Sequence, residues 1–324
     1  MQPTAIRTPI AERTARRARE RVGDRAFRLL VLGLAAAILA LVAALFVSIL
    51  VQAMPALGEF GLGFVVGSAW NPVVEKFGAL PAIYGTLVSS LLGLLFAVPI
   101  GLGAAIFLVE FAPGWLARPL SLLIELLAAI PSVIIGLWAL FVLVPIVEQA
   151  EAGLGAVLGG FPLFSGPPLG VGMLSAGLVL AIMVLPIITA VIRDVLLAVP
   201  SSQREAMLAL GGTRWETITR AVVPYGQSGI VGAVILGLGR ALGETMAVTM
   251  VIGNSYQVSP SLFAPATTLA SLIASQFREA DSDMYLSALI AAGVVLFAIA
   301  VIVNALARLL VWRVSARPST RGGV

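Results

Sequence analysis

Six long runs of apolar residues alternate with polar segments along this chain, and each run carries few charges. The runs lie at about 29–51, 81–109, 120–146, 173–192, 225–252 and 284–312. Each is long enough to cross about 30 Å of hydrocarbon at about 1.5 Å per residue. Because lipid cannot satisfy the hydrogen bonds of the backbone, every such run is expected to be helical. The pattern predicts an all-α fold, a polytopic membrane helix bundle with about six transmembrane helices.

The distribution of arginines predicts how the bundle is oriented. Arginines cluster in residues 1–28, in residues 193–224 and at the C-terminal end, and Arg118 follows the second run. With six crossings these segments share one side of the membrane, and the positive-inside rule places that side, with both termini, in the cytoplasm. The predicted regions are an Arg-rich cytoplasmic segment at 1–28, a transmembrane domain at 29–312 and a cytoplasmic tail at 313–324.

Composition narrows the chemistry. The chain is 60% hydrophobic and 11% charged, and it contains neither cysteine nor histidine, so thiolate metal sites and histidine bases are excluded. Its one lysine, Lys76, follows no glycine-rich loop, so the chain has no P-loop for ATP. The arginines of residues 1–28 adjoin the first apolar run, where they are interpreted as an anchor beside anionic lipid. We therefore expect no cofactor in this chain and no nucleic-acid partner.

Two charges lie deep in the fifth apolar run. Arg240 and Glu244 are four residues apart, so they share one face of a continuous helix, about 22 Å along it from residue 225. A charge at this depth costs at least about 2.5–3.5 kcal/mol on insertion scales. Arginine before glutamate is the weaker order for a helical pair, so pairing alone explains the two charges poorly.

The functional interpretation is that Arg240 lines a polar pathway and meets an oxyanion, which its planar guanidinium suits. Glu244 then orients the guanidinium and prevents it from holding the anion too tightly for release. The alternative is a structural ion pair that bridges to a partner helix. Four glycines are expected to thin this helix for a tightly packed, central position: Gly232, Gly237, Gly239 and Gly243.

Residues 205–224, EAMLALGGTRWETITRAVVP, form a charged, helix-forming stretch between two apolar runs. Gly211 and Gly212 are expected to end a first short helix, since glycine readily adopts the left-handed cap conformation. A second helix is expected at 213–222, running to Pro224. The residues expected to contact a partner are the apolar Met207, Leu208 and Leu210, with Arg204, Glu205, Arg214 and Glu216 at the rim. The alternative is an ordinary surface loop with helical character.

The order of Glu205, Ala206, Gly211 and Pro224 resembles the EAA loop of ABC importer permeases. Met207 replaces the usual third alanine and Ala221 the usual isoleucine, which are mild apolar exchanges. The resemblance implies that residues 193–224, here the coupling segment, dock on a separate ATPase subunit. The residues implied in coupling are Glu205, Ala206, Met207, Leu208, Gly211, Gly212 and Pro224.

Three further segments resemble the permease subunits of phosphate-specific ABC importers, the PstC type. They are WNPVVEKFGALPAIYGTLVSS at 70–90, ELLAAIPSVIIGLW at 125–138 and LGLGRALGETMAVTMVIGN at 236–254, and the resemblance covers most of residues 25–313. It implies the type I ABC importer permease fold, the bacterial cytoplasmic (inner) membrane, and phosphate import by alternating access. Arg240 and Glu244 match charged positions that matter for phosphate passage in that family.

The same resemblance implies partners. They are a second homologous permease subunit, two ATPase subunits that carry the ATP and magnesium, and an extracytoplasmic phosphate-binding protein. The chain itself is then a transport subunit and no enzyme. Three alternatives stay open at this point: a permease for another oxyanion such as sulfate or molybdate, an ATP-independent secondary transporter or channel, and a membrane scaffold that reports phosphate status.

Overall fold

A computed structural model describes the backbone of residues 9–315 and the side chains of residues 24, 25 and 27–309. The predictions for most arginines of residues 1–28 and for the tail at 313–324 therefore fall on side chains outside the described part. Contacts divide the chain into two units, the first of which ends at Gln52.

The first half of the chain contains the following elements. Helix α1 spans Pro9–Phe60, and α2 spans Gly63–Val66. A hairpin not anticipated from the sequence follows, with β1 (Trp70–Asn71) antiparallel to β2 (Lys76–Phe77). The remaining elements are α3 (Leu80–Ile106), a π-helical turn (Phe107–Phe111), α4 (Gly114–Ala128), α5 (Ser132–Trp138), a second π-helical turn (Ala139–Leu143) and α6 (Val144–Leu158).

The second half is also helical. A 3₁₀ turn at Pro162–Phe164 precedes α7 (Met173–Leu197). Next come α8 (Ser201–Ala209), α9 (Arg214–Thr217), a π-helical turn (Ile218–Val222), α10 (Val223–Tyr225), α11 (Gln227–Leu242), α12 (Met246–Val251), α13 (Leu269–Gln276) and α14 (Asp283–Ser315).

The prediction of a bundle with about six crossings is confirmed. Among the described residues, five stretches are long and apolar enough to span a membrane: Phe27–Phe60, Leu80–Phe111, Ser132–Leu158, Met173–Leu197 and Asp283–Leu309. A sixth is formed if Arg214–Tyr225 and Gln227–Leu242, which meet at a bend of 69°, count as one span.

The predicted third span at 120–146 is wrong. The helical chain is interrupted before Pro131, which caps α5 with an extended backbone (φ −58°, ψ 136°), and the span runs from Ser132 to Leu158 instead. The residue before a proline is driven away from helical geometry, so the apolar run is cut into α4 and a separate crossing helix. Glu151, which lies beyond the predicted end of this span, falls inside α6, where Oε2 accepts a hydrogen bond from the Gly170 N–H at 2.8 Å.

Helix α7 is the centre of the second unit. Its residues Ile188, Ile192 and Leu196 are fully buried. Small residues let α3 approach it closely, since an added Cβ at Gly93 would lie 2.8 Å from the Cβ of Leu180. In the first unit, by contrast, α1 exposes its side chains from Phe27 to Leu45, as expected of a helix that is apolar all round and faces lipid.

Candidate functional site

The predicted charge pair lies at a break in the fifth span. Arg240 occupies the last turn of α11, which ends at Leu242, and Glu244 lies in the gap before α12 begins at Met246. The Nη2 atom of Arg240 is 3.5 Å from Oε2 of Glu244. The expectation of one continuous helix over 225–252 is therefore wrong, although the two side chains do meet.

This break changes the electrostatics of the pair. Arg240 lies at the C-terminal end of a 16-residue helix, where the helix dipole favours a cation. Glu244 accepts a hydrogen bond through Oε1 from the backbone N–H of Ala247, at 3.3 Å, in the first turn of α12. The unfavourable order of arginine before glutamate applies to a continuous helix. With the helix interrupted, each charge faces a helix end that stabilises it.

The two charged side chains differ sharply in exposure. Glu244 is 4% exposed, whereas Arg240 is 47% exposed and borders a cleft of about 1440 Å³. In the described part of the chain, Glu244 is the one carboxylate within ion-pair distance of Arg240. The arrangement thus holds the carboxylate inside the protein and presents guanidinium N–H groups to the cleft, where a mobile anion can accept them.

The cleft lies between α11 and α14. Its lining combines apolar residues with a few polar ones: Ile187, Ser228, Gly232, Ile235, Leu236, Gly239, Arg240, Phe297, Ala300, Val301, Asn304, Ala305 and Arg308. Two of the predicted thinning glycines, Gly232 and Gly239, open into free space, with no heavy atom within 4 Å of an added Cβ. Gly237 does the opposite, since its added Cβ would lie 2.7 Å from Cδ1 of Ile188 on α7. Gly237 thus allows α11 to pack closely against α7, whereas Gly232 and Gly239 leave room in the cleft.

Sequence reasoning missed three polar residues of this cleft, namely Ser228, Asn304 and Arg308. Arg308 was assigned to the group of terminal arginines, and Asn304 and Ser228 were not singled out. A signal was present in α14, where Phe297, Val301, Asn304 and Arg308 recur every three or four residues and so share one helical face. Nothing in that spacing indicates that the face turns toward α11 rather than toward lipid.

The coupling segment folds as two short helices joined at Gly211. Gly211 has φ +82°, a left-handed conformation that glycine adopts without steric cost. The N–H of Gly212 then donates to the carbonyl of Met207 at 3.1 Å, which closes the end of α8. A capping box between Thr213 and Glu216 starts α9. Pro224 lies in α10, but the next crossing helix begins only at Gln227, after the 69° bend.

Most of the residues of α8 that are expected to contact a partner are exposed. Glu205, Ala206 and Leu208 are exposed and Met207 is half-buried. The side chain of Leu210, just beyond the helix, is 85% exposed. These residues leave an apolar face with one carboxylate available to a partner.

Three of the four residues predicted at the rim of the partner contact make polar contacts within the chain. Arg204 pairs with Glu110 at 2.9 Å. Arg214 donates through Nη2 to the backbone carbonyl of Glu110, and Glu216 caps α9. Glu205 is the remaining one, and it has no polar partner among the described residues.

Known proteins resemble this chain over the regions that contain the charge pair and the coupling segment. Residues 97–316 match a family model described as binding-protein-dependent transport system inner membrane component. The chain is 49% identical over 290 residues to the phosphate transport system permease protein PstC of Mesorhizobium japonicum, covering 87% of this chain and 89% of the relative. It is 48% identical over 302 residues to PstC of Xylella fastidiosa, covering 92% and 93%. A probable PstC of the archaeon Methanocaldococcus jannaschii is 39% identical over 260 residues, covering 78% and 82%.

Solved structures with a similar fold include two ABC transporters. The inward-facing methionine transporter MetNI gives a TM-score of 0.54 at 18% identity, covering 72% of this chain and 94% of that chain. A bacterial alginate ABC transporter in complex with a periplasmic protein bound to an alginate pentasaccharide gives a TM-score of 0.59 at 16% identity, covering 87% and 95%. At these identities the likeness concerns the fold alone.

Proposed function

The chain belongs to the binding-protein-dependent transport system inner membrane components and, among them, to the phosphate transport system permease proteins of the PstC type, and from this premise we propose how its residues carry phosphate. It is a multi-pass inner-membrane permease subunit of a phosphate ABC importer. Membership in the family implies that an ATPase subunit and a binding protein work with it.

The cleft between α11 and α14 is proposed to form part of the phosphate pathway, and the residues that line it are proposed to form its wall. The observation that carries this proposal is the asymmetry of the ion pair, because Glu244 is buried and Arg240 is half-exposed to the cleft. A guanidinium whose counter-ion is fixed behind it offers charge-assisted hydrogen bonds to a phosphate oxygen. The neighbouring carboxylate limits how tightly the anion is held, as a permeation site requires.

The pathway extends beyond Arg240. Arg308, Asn304 and Ser228 line the same cleft. Ser228 and Arg240 are 12 residues apart on α11, or about 18 Å at 1.5 Å per residue. Since successive crossing helices run in opposite directions, Arg308 lies toward the Ser228 end, and the cleft has a cation near each end. Phosphate that leaves Arg240 thus moves toward a second cationic position.

The exposed face of α8 is the proposed contact for the ATPase. Glu205, Ala206, Met207 and Leu208, with the Gly211–Gly212 turn behind them, form the docking surface, and Pro224 begins the approach to α11. We assign ATP, magnesium and hydrolysis to the partner ATPase and no nucleotide site to this chain. Two ATPases and a second homologous permease complete the proposed complex.

Alternating access is the proposed mechanism. ATP binding draws the ATPases together, the coupling segment moves, and the bundle opens to the outside, where the phosphate-binding protein delivers its cargo. Hydrolysis then returns the bundle to the inward-open state. In this scheme the coupling segment and both termini are cytoplasmic.

Labelled phosphate uptake by the complex reconstituted in vesicles tests the proposal, with wild type compared against Arg240→Gln and Arg240→Lys. We expect ATP-dependent uptake in the wild type, loss of uptake in Arg240→Gln with intact assembly, and partial uptake in Arg240→Lys, which keeps the charge but not the planar fork. Arg118→Gln removes an exposed arginine outside the cleft and is the matched control.

Sulfate and molybdate are added as competitors in the same assay. Uptake that they block would assign the chain to another oxyanion, and uptake that needs no ATP would indicate a secondary transporter. Normal uptake by Arg240→Gln would show that the ion pair is structural and that the pathway lies elsewhere.

A further inference from the structure

One carboxylate, that of Glu110, joins α8, which carries the proposed docking surface, to α3, the second crossing helix. Glu110 lies in the π-helical turn Phe107–Phe111, which directly continues α3. Its Oε1 atom accepts hydrogen bonds from Nε and Nη2 of Arg204, at 3.0 and 2.9 Å. Arg204 is the residue before Glu205 in α8, so the helix that carries the proposed docking residues is fastened to the end of α3.

Arg204 also reaches the end of α7. Its Nη1 atom donates to the carbonyl of Val199 at 2.7 Å, and Nη2 donates to the carbonyl of Leu196 at 2.9 Å. Carbonyls at a helix C-terminus lack partners within the helix, and a guanidinium satisfies them well. A single arginine of α8 therefore connects with the ends of two crossing helices.

A second arginine of the coupling segment contacts the same position. Arg214, the first residue of α9, donates to the backbone carbonyl of Glu110, and its guanidinium lies 5.1 Å from the centre of the Phe111 ring. Both short helices of the coupling segment are thus fastened to residues 110 and 111.

The Arg204–Glu110 pair is shielded from solvent. The Glu110 side chain is 10% exposed and that of Arg204 is 23% exposed. Removal of one partner from a shielded pair costs more than removal from an exposed pair, which contributes little. When Glu110 is changed, Arg204 keeps its carbonyl partners on α7 and loses its contact with α3.

The second crossing helix in turn reaches the phosphate pathway. Leu94 of α3 lies 3.6 Å from the Cβ position of Gly237 on α11, three residues before Arg240. Helix α3 also packs along α7, where Gly93 and Gly177 allow close approach. A shift at Glu110 is transferred along a packed helix to the segment that carries Arg240.

We propose that Glu110 is the joint through which movement of the coupling segment is delivered to α3 and from there to the pathway. The inference rests on the proposed docking of the ATPase on α8. Glu110 is a positioning residue in this scheme, since it touches neither phosphate nor nucleotide.

The chain offers a matched control in a second ion pair. Arg193 pairs with Glu125 at 3.0 Å, but the Glu125 side chain is 53% exposed. That pair joins α7 to α4. Arg193 is the first residue of the coupling segment but still belongs to α7, and it also pairs with Asp194 at 2.8 Å, so the pair involves no residue of α8 or α9. It shares the chemistry of the Arg204–Glu110 pair without its position between the docking helix and a crossing helix.

The test compares wild type, Glu110→Gln and Glu125→Gln in the full reconstituted complex. Phosphate uptake and ATP hydrolysis are measured in the same vesicles, together with co-purification of the ATPase. We expect Glu110→Gln to assemble and hydrolyse ATP while its phosphate uptake per ATP falls about tenfold, which corresponds to about 1.4 kcal/mol of lost coupling. Glu125→Gln is expected to retain the wild-type ratio.

Two further variants separate transmission from folding. Glu110→Asp keeps the charge and shortens the side chain by one methylene, so we expect assembly with an intermediate uptake per ATP. The double variant Glu110→Gln with Arg204→Gln is expected to be no worse than the more affected single variant, because both changes remove one shared contact.

A wild-type ratio of uptake to hydrolysis in Glu110→Gln would overturn the inference. So would a parallel loss of uptake, hydrolysis and assembled complex in both Glu110→Gln and Glu110→Asp, since that result assigns Glu110 to folding. Absence of ATP-driven phosphate uptake in the wild-type complex is a different result, which contradicts the proposed function itself.

Discussion

At the scale of single residues, the buried position of Glu244 is what makes Arg240 useful. The carboxylate is fixed by the Ala247 N–H and is 4% exposed, whereas the guanidinium is half in the cleft. An isolated arginine would hold a phosphate dianion strongly, and an arginine fully engaged by its partner would not hold it at all. The observed geometry lies between these limits.

This geometry predicts the behaviour of Glu244→Gln. Without the competing carboxylate, Arg240 holds phosphate more tightly, so we expect a lower KM and a lower maximal rate of uptake. Arg240 is exposed enough to be solvated after the change, so the complex is expected to assemble. Labelled uptake across a range of phosphate concentrations measures both parameters.

Glu59→Gln, which removes an exposed carboxylate outside the cleft, serves as the control for that experiment. An unchanged KM in Glu244→Gln would indicate that the carboxylate does not influence how phosphate is held.

At the scale of elements, glycines decide the shape of both functional regions. Gly211 ends α8 in a left-handed conformation, and Gly237 admits α11 close to α7. Gly232 leaves empty space in the cleft. A residue with a side chain would meet backbone strain at the first position, a neighbouring side chain at the second and nothing at the third.

The turn at Gly211 predicts the outcome of Gly211→Val. A left-handed residue with a branched side chain costs about 1–3 kcal/mol, so the turn between α8 and α9 is expected to reorganise. We expect weaker ATPase co-purification and loss of transport-linked ATP hydrolysis.

Gly114→Val is the control for this change, because Gly114 has an ordinary backbone and open space around its Cβ position. Normal coupling in Gly211→Val would remove this turn from the docking surface.

The two sides of α11 predict opposite effects of leucine. Gly237→Leu forces a side chain against Ile188 and is expected to lower thermal stability, because overpacking typically costs about 1–3 kcal/mol. The Cβ of Gly232→Leu meets no heavy atom within 4 Å and points into the open cleft, so stability is expected to stay normal while the filled cleft slows phosphate uptake. Thermal unfolding of the complex and labelled uptake, measured on both variants, distinguish the two effects.

Equal stability of the two variants would contradict this assignment of packing and pathway faces. Normal uptake by a stable Gly232→Leu complex would mean that phosphate does not pass this part of the cleft.

At the scale of the whole molecule, the second unit is organised around α7, and the cleft is lined by α11 and α14 with one residue of α7, Ile187. The hairpin and the coupling segment occupy opposite ends of the chain's crossings in the predicted topology. Trp70 and Phe77 of the hairpin pack with Tyr285 of α14, and the rings of Phe77 and Tyr285 stack at 5.3 Å. This aromatic cluster anchors one end of the bundle.

The predicted orientation can be tested directly, because the chain contains no cysteine. Val73 in the hairpin is 92% exposed and Leu210 in the coupling segment is 85% exposed, so single cysteines at these positions are accessible. We expect a membrane-impermeant thiol reagent to label Val73→Cys in spheroplasts and to label Leu210→Cys only after the membrane is opened. The reverse pattern would invert the topology, and labelling of both before opening would contradict six crossings.

Much of the site could be predicted from local sequence. The glycine pair, the buried charges and the apolar runs are features that residue type and spacing report directly. The break before Pro131 was readable in principle, since proline restricts its predecessor, but the apolar run continued through it and the periodicity gave no boundary. No residue marked the interruption after Leu242 in the same way. Gly243 caps the helix there, but α11 contains several other glycines that do not end it, so a glycine at this position did not predict a boundary.

The sequence by itself determined that this chain crosses the membrane about six times, that most of its arginines lie in three segments of the chain, and that two charges and one polar segment stand apart from the apolar background. Those properties follow from transfer free energies and backbone preferences, which are local. Only the tertiary structure decided that Glu110 pairs with Arg204, 94 residues away, and that Arg240, Asn304 and Arg308 line one cleft. Such contacts depend on which helix faces meet, and helix faces are chosen by packing rather than by the composition of either helix alone.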